Sequence, residues 1–207
     1  RAAERSGRSP DAVSIVGVCK RQPDDVIAAA LDAGLRCFGE NRVQEAQERW
    51  TPERRAAYPD LVLHFVGSLQ SNKAADAVAL FDVIESLDRG ALARALAAES
   101  RKQQRSPALL IQVNTGEEPQ KSGVLPAELP GLLAESRDLG LDVRGLMGIP
   151  PVDEPPGLHF GLLRKLAARH GLPWLSMGMS ADFETAIAFG ATHIRPGSAL
   201  FGARDQG

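Results

Sequence analysis

Cysteine is nearly absent from this chain. Its 207 residues hold two, Cys19 and Cys37, eighteen apart with no second pair, which gives neither a disulfide framework nor a zinc site. Both read as free thiols. Tyr58 is the single tyrosine, and lysine is scarce, five against nineteen arginines. A lysine in an apolar setting therefore stands out, and Lys20, which ends the run SIVGVCK, is in one. Neither sign of charge dominates. Twenty-four basic residues against twenty-six acidic ones leave a net charge of -2, so no bulk field draws in nucleic acid or an anionic membrane. No apolar run approaches the ~20 residues of a membrane span. The opening RAAERSGRSP lacks the apolar core of a signal peptide. These absences lead us to expect a cytoplasmic protein with no nucleic-acid or membrane partner.

What remains is ordinary globular material, 43% hydrophobic and 24% charged, which fits neither disorder nor coiled coil. At one domain per ~150 residues the length suggests one large domain or two small ones. A chain of this size buries roughly 70% of its unfolded surface, so its core needs no metal or disulfide.

Short β-branched apolar runs alternate with longer amphipathic stretches from end to end. We expect eight strands, over Val13–Val18, Leu35–Gly39, Leu61–Phe65, Val83–Leu87, Ala108–Val113, Val143–Gly148, Trp174–Ser176 and Thr192–Arg195. Helices are expected near Pro23–Ala33, Arg42–Trp50, Ser71–Ala77, Arg89–Lys102, Pro126–Ser136, Gly157–Arg169 and Ala181–Phe189. Pro23 followed by Asp24 and Asp25 suits a helix start, since proline has no amide to lose and acids favour the positive end of the dipole. Gly34, Gly140, Gly171 and Gly190 follow helices where a left-handed stop is needed. The strands are continuous apolar runs, as strands covered on both faces read. Eight such units with no linker point to one α/β domain over 1–207, a single (β/α)8 TIM barrel with its N-terminal helix truncated. A doubly wound open sheet is the second choice.

Functional groups of such a barrel collect where its strands end. The first strand ends in Cys19-Lys20. An amine there with an apolar stem behind it is suited to Schiff-base chemistry, desolvation lowering its pKa; equally, a strand-end lysine snorkels to solvent. After the second strand, GENRVQE offers Glu40 and Asn41 at the mouth, Asn41 serving as well for a helix N-cap. His64, in HFVGSLQSNK, reads as a core histidine or a catalyst. The last two units, LSMGMSADFETAI and HIRPGSALFG, carry Gly178, Ser176, Ser180, Gly197 and Ser198, the parts of a phosphate cradle. Ordinary turn chemistry uses the same parts. Arg195 stands beside them, as a ligand to a bound group or as half of a structural ion pair. A lysine, a cradle and an arginine are what holding pyridoxal 5'-phosphate requires: amine to aldehyde, cradle to phosphate, cation to ring nitrogen.

SIVGVCKRQPDDVIAAALDAGLRCFGENRVQEA, LHFVGSLQSNK, IQVNTGEEPQKSGV, VRGLMGIPP and LSMGMSADFETAIAFGATHIRPGSALFG together resemble the pyridoxal phosphate homeostasis protein family, which is alanine-racemase-N-terminal-domain-like. The resemblance spans nearly the whole chain. It implies a fold-type III barrel with no second β domain, and pyridoxal 5'-phosphate bound covalently as an internal aldimine on Lys20. It implies further that Ser176, Met177, Gly178, Ser180, Gly197 and Ser198 lie on the phosphate-binding loops, Arg195 near the pyridine nitrogen, and Asn41 and His64 along the pocket. Cys19 stands where serine is usual, Arg42 where an aromatic is common and Pro196 where a branched aliphatic is usual. Pro196 removes an amide beside the cradle.

The racemases of this fold supply a second proton carrier, a tyrosine on a second domain. This sequence stops at Gly207, and Tyr58 precedes the third strand, at the wrong end of the barrel. An arginine partner also leaves the ring nitrogen mostly unprotonated. The expected role is thus non-catalytic: a monomeric, cytoplasmic carrier in vitamin B6 homeostasis, whose partners are the cofactor and apo-enzymes that use it. A low-activity amino-acid racemase and a cofactor-independent Schiff-base lyase or aldolase are the alternatives.

Overall fold

The computed structural model describes residues 1–202; the last five positions of the expected 1–207 domain lie outside the described residues. Strands β1 (Ser14–Ile15), β2 (Gly17–Val18), β3 (Cys37–Glu40), β4 (Val62–Phe65), β5 (Val83–Leu87), β6 (Ala108–Val113), β7 (Val143–Gly148), β8 (Trp174–Ser176) and β9 (His193–Ile194) form one sheet in the order β1-β9-β8-β7-β6-β5-β4-β3-β2. Every pairing is parallel. The expected first strand is present as β1 and β2 with Val16 between them, and it closes the sheet: β1 pairs with β9 and β2 with β3. The Ser14, Val16 and Val18 amides donate to the carbonyls of Thr192, Ile194 and Pro196, and the Cys19 amide donates to Gly39 on the other side. A barrel needs that stagger, because tilted strands meet the closing pair at shifted registers. The open doubly wound sheet is thereby excluded.

Two layers of apolar side chains hold the barrel. Inside, Val83, Leu110 and Met147 pack with Ala108, Ile149 and Trp174. Outside, helices cover the strands, each burying one stripe; Gly90–Gln103 buries Leu92, Ala93, Leu96 and Ala97, which share one face at helical spacing. The helices fall near their expected places, and Gly34, Gly140, Gly171 and Gly190 all take positive φ. Besides the single turn Ser198–Phe201, one helix was not expected, Pro52–Ala57. Its signal was present in the sequence, since Thr51 caps the Arg54 amide through Oγ1 and Pro52 occupies the first turn.

Candidate functional site

Where the strands end, the barrel opens into a cavity of about 690 Å3. Its lining carries Lys20, Arg195 and Lys121, the last paired with Glu118 just outside the lining at 2.7 Å, and no carboxylate among the described residues, although the chain as a whole is slightly acidic. The polarity is local, and it suits an anion. Lys20, Asn41, Ser180, Arg195, Gly197 and Ser198 all line this cavity. Lys20 is exposed at the rim, so the expected desolvation of its amine is not supplied by the protein around it. The turn that carries it projects beyond the last strand pairing. Asn41 presents a buried Oδ1 that has no hydrogen-bond partner; such an atom stays costly until something pairs with it.

The two loops expected to form a cradle do converge. Ser180 Oγ accepts the Gly197 and Ala199 amides, each at 3.1 Å, and the Arg195 amide donates to the Gly178 carbonyl at 2.8 Å. Gly178 has φ +96°, and a Cβ there would lie 2.6 Å from that of Ala186, so both the turn and the following helix require glycine. Pro196, though lacking an amide, offers its carbonyl to Val18 and so joins this loop to the Lys20 strand.

The remaining expected residues lie elsewhere. Gly178 and Met177 sit behind the wall, Met177 in the outer core. Ser176 and His64 are buried inside the barrel beneath the cavity, and neither lines it. Both turn instead to Glu85, a fully buried carboxylate on β5: His64 Nδ1 donates at 2.6 Å and Ser176 Oγ at 2.5 Å. Burial works against the His64 charge, but Cys37 and Glu85 more than reverse this and push its pKa up to about 10. Burial likewise opposes the Glu85 charge, and His64, Arg195 and Ser176 overcome it, bringing Glu85 down to about 2. The His193 ring is tilted against that of His64, centroids 5.6 Å apart, and its pKa goes the other way, down to about 4, chiefly through burial.

Sequence reasoning also missed what holds the Lys20 turn. Arg49 Nη1 donates to the Cys19 carbonyl at 3.3 Å and Nη2 to the Gln22 carbonyl at 2.9 Å, so one guanidinium spans the residues on either side of Lys20. Glu40, expected at the mouth, is instead buried behind this turn. Its Oε1 accepts from Arg49 and from Trp50 Nε1, both at 2.9 Å. Burial raises the Glu40 pKa against the pull of these two donors. The sequence gives no local sign of this, because Glu40 and Arg49 meet only when the helix Val43–Arg49 folds back along β3. Cys19 is buried too, its thiol donating to the Gly17 carbonyl at 3.4 Å and pushed up in pKa by burial, which is the inert setting expected of it.

Residues 9–205 match the alanine racemase N-terminal domain family. Proteins named pyridoxal phosphate homeostasis protein align along their length: that of Escherichia coli K12 is 39% identical over 213 residues, 99% of this chain and 91% of that protein. The chain belongs to the pyridoxal phosphate homeostasis protein family, within the alanine racemase N-terminal domain group. The relative from Pseudomonas aeruginosa PAO1 is 43% identical over 215 residues, all of this chain and 91% of that one. Among solved structures, PipY of Synechococcus elongatus PCC7942 with PLP bound has a TM-score of 0.86 at 40% identity, covering 98% of this chain and 100% of that one. The same protein without PLP gives 0.88. Alanine racemase of Clostridium difficile 630 shares the fold alone, with a TM-score of 0.73 at 13% identity over 99% of this chain and 56% of that one.

Proposed function

We propose that this chain binds pyridoxal 5'-phosphate in the mouth cavity and serves vitamin B6 homeostasis, holding the cofactor through Lys20 Nζ and giving it up again. One observation carries the reading. A lysine amine, a buried arginine and the converged Ser180, Gly197 and Ser198 loops share one cavity whose described wall holds no acid. The donor set fits the group. Ser180 Oγ accepts the Gly197 and Ala199 amides and so keeps its own proton to donate, and with Ser198 it places two hydroxyls in the cavity, donors that suit phosphate. Asn41 Oδ1 is an acceptor awaiting a donor. When bound, the cofactor supplies an aldehyde to which an amine adds reversibly.

Lys20 provides that amine, Arg49 holds its turn, and Arg195 offers donors to an acceptor within the cavity. The exposure of Lys20 favours exchange over sequestration, which suits a carrier that hands cofactor to apo-enzymes. Racemisation needs a proton carrier on each face of the substrate. The described wall presents no tyrosine, histidine or carboxylate; Lys121 is ion-paired with Glu118 at 2.7 Å; and Tyr58 lies toward the opposite end of the barrel, under Arg36. We therefore read the protein as a non-catalytic carrier, and we propose that it acts in the cytoplasm as a monomer. No helix among the described residues is long and apolar enough to cross a membrane.

Visible spectra before and after borohydride, followed by mass analysis of peptides, test the reading. Added mass on the peptide containing Lys20, and none in Lys20→Ala, is the expected result. An adduct on another peptide, or one that persists in the variant, would overturn it.

A further inference from the structure

Beneath the cavity runs a line of polar side chains, His64, Glu85 and Ser176, that ends on Arg195 and that cofactor binding as described does not use. At its centre is Glu85, with no exposed surface. A carboxylate so placed is sustained only by partners. His64 and Ser176 take its two oxygens, while Arg195 Nη1 stands 3.8 Å from Oε2, too far to bond it. Arg195 reaches the carboxylate indirectly. Its Nη1 donates to Ser176 Oγ at 2.7 Å, and that hydroxyl donates onward to Glu85 at 2.5 Å. The second amino group, Nη2, donates to the Gly148 carbonyl at 3.1 Å.

A guanidinium is a planar fork with fixed donor directions. Two of its directions are therefore set by Ser176 and by the end of β7, while the same side chain lines the cavity. The Ser176 hydroxyl has one proton, and Glu85 determines where it points. With that O–H directed at the carboxylate, the oxygen's lone pairs face Arg195. Glu85 also stands between His64, whose pKa its carboxylate helps to raise, and the Arg195 guanidinium, which would repel a charged imidazole across a low-dielectric interior.

We propose that Glu85 is a positioning residue for the cofactor: through the Ser176 hydroxyl it fixes the orientation of Arg195 and so the strength with which the chain holds the pyridine ring nitrogen. This rests on pyridoxal phosphate binding with Arg195 at that nitrogen. A guanidinium can only donate, so the atom it holds is an acceptor, an unprotonated ring nitrogen.

The test compares two ligands on the whole chain: pyridoxal 5'-phosphate, and its analogue with C–H in place of the ring nitrogen, which keeps the aldehyde and phosphate. Dissociation constants are measured for wild type, Ser176→Ala and Glu85→Gln. Wild type should prefer the cofactor over the analogue. Each substitution should weaken cofactor binding about tenfold, equivalent to about 1.4 kcal/mol, and analogue binding less than twofold, because only one ligand offers the atom through which the residues act. Equal losses for both ligands would make the two residues supports of the barrel wall and overturn the proposal. So would unchanged affinities, or a wild type indifferent to the ring nitrogen. If Glu85→Gln does not fold, Ser176→Ala, which removes only the middle hydroxyl, decides alone. A wild type that shows no borohydride adduct on Lys20 would sink the parent reading instead, a failure seen before any variant is made.

Discussion

In the proposed site Lys20 is the residue on which cofactor binding turns, and its setting is made by Arg49. The Cys19 and Gln22 carbonyls that flank the turn both end on that one guanidinium, and Arg21 between them is held at φ 56°, an uncommon conformation for a residue with a Cβ. Arg49→Gln should leave the phosphate side of the site untouched while the lysine turn loosens. The expected outcome is a several-fold fall in the fraction of bound cofactor that borohydride traps, with a smaller change in total cofactor bound. Thermal unfolding would register a loss as well, since Glu40 would be left buried without its cation. A trapped fraction equal to wild type would show that the turn holds its shape without the clamp.

At the scale of elements, the mouth depends on close approach between loops. Gly67, after β4, lies against the Asn41 loop, and a Cβ there would overlap the Asn41 carbonyl itself. Backbone gives way less easily than a side chain tip, so Gly67→Ala should cost about 1–3 kcal/mol, the usual range for overpacking. Because the atoms displaced belong to Asn41, cofactor affinity should fall with it. Urea unfolding and a binding titration on the same sample check both, and a variant as stable as wild type would mean that the loops are not in contact. Much of this level was legible in sequence. The period of the apolar runs gave the order of strands and helices, and glycine placement gave four helix ends. The division of the first strand around Val16 was not legible, because VSIVGV reads as one run and only closure against β9 and β3 decides which parts pair with which neighbour.

For the molecule as a whole, the buried charges inside the barrel set a pH optimum. Glu85, lowered to about 2, adds stability that is complete above its ordinary 4.5 and disappears as pH falls through 2. His64, raised to about 10, adds stability that is complete below 6.5 and is lost as pH rises through 10. His193, lowered to about 4, is buried neutral, so its contribution is complete above 6.5 and is lost as pH falls through 4. The three overlap near pH 6.5. Urea midpoints measured from pH 4 to 10 should peak there and decline on both sides, and His64→Gln should flatten the alkaline side. A wild-type profile level from pH 6.5 to 9 would mean that His64 is not held as a cation.

The sequence by itself determined the alternation of strands and helices, the family, and the ends of the chain segments that carry Lys20, Asn41, Arg195 and the Ser180 and Gly197 loops. Those are properties of period, turn chemistry and motif, all local along the chain. Only the tertiary structure decided that His64 and Ser176 lie under the cavity, that Arg49 grips the lysine turn, and that Glu85 of β5 joins His64 of β4 to Ser176 of β8. The Arg49 grip depends on the helix Val43–Arg49 folding back along β3; the other two depend on which side chains point into the barrel at one height. That follows from strand tilt and register at closure, to which residues tens of positions apart contribute and which no local stretch encodes.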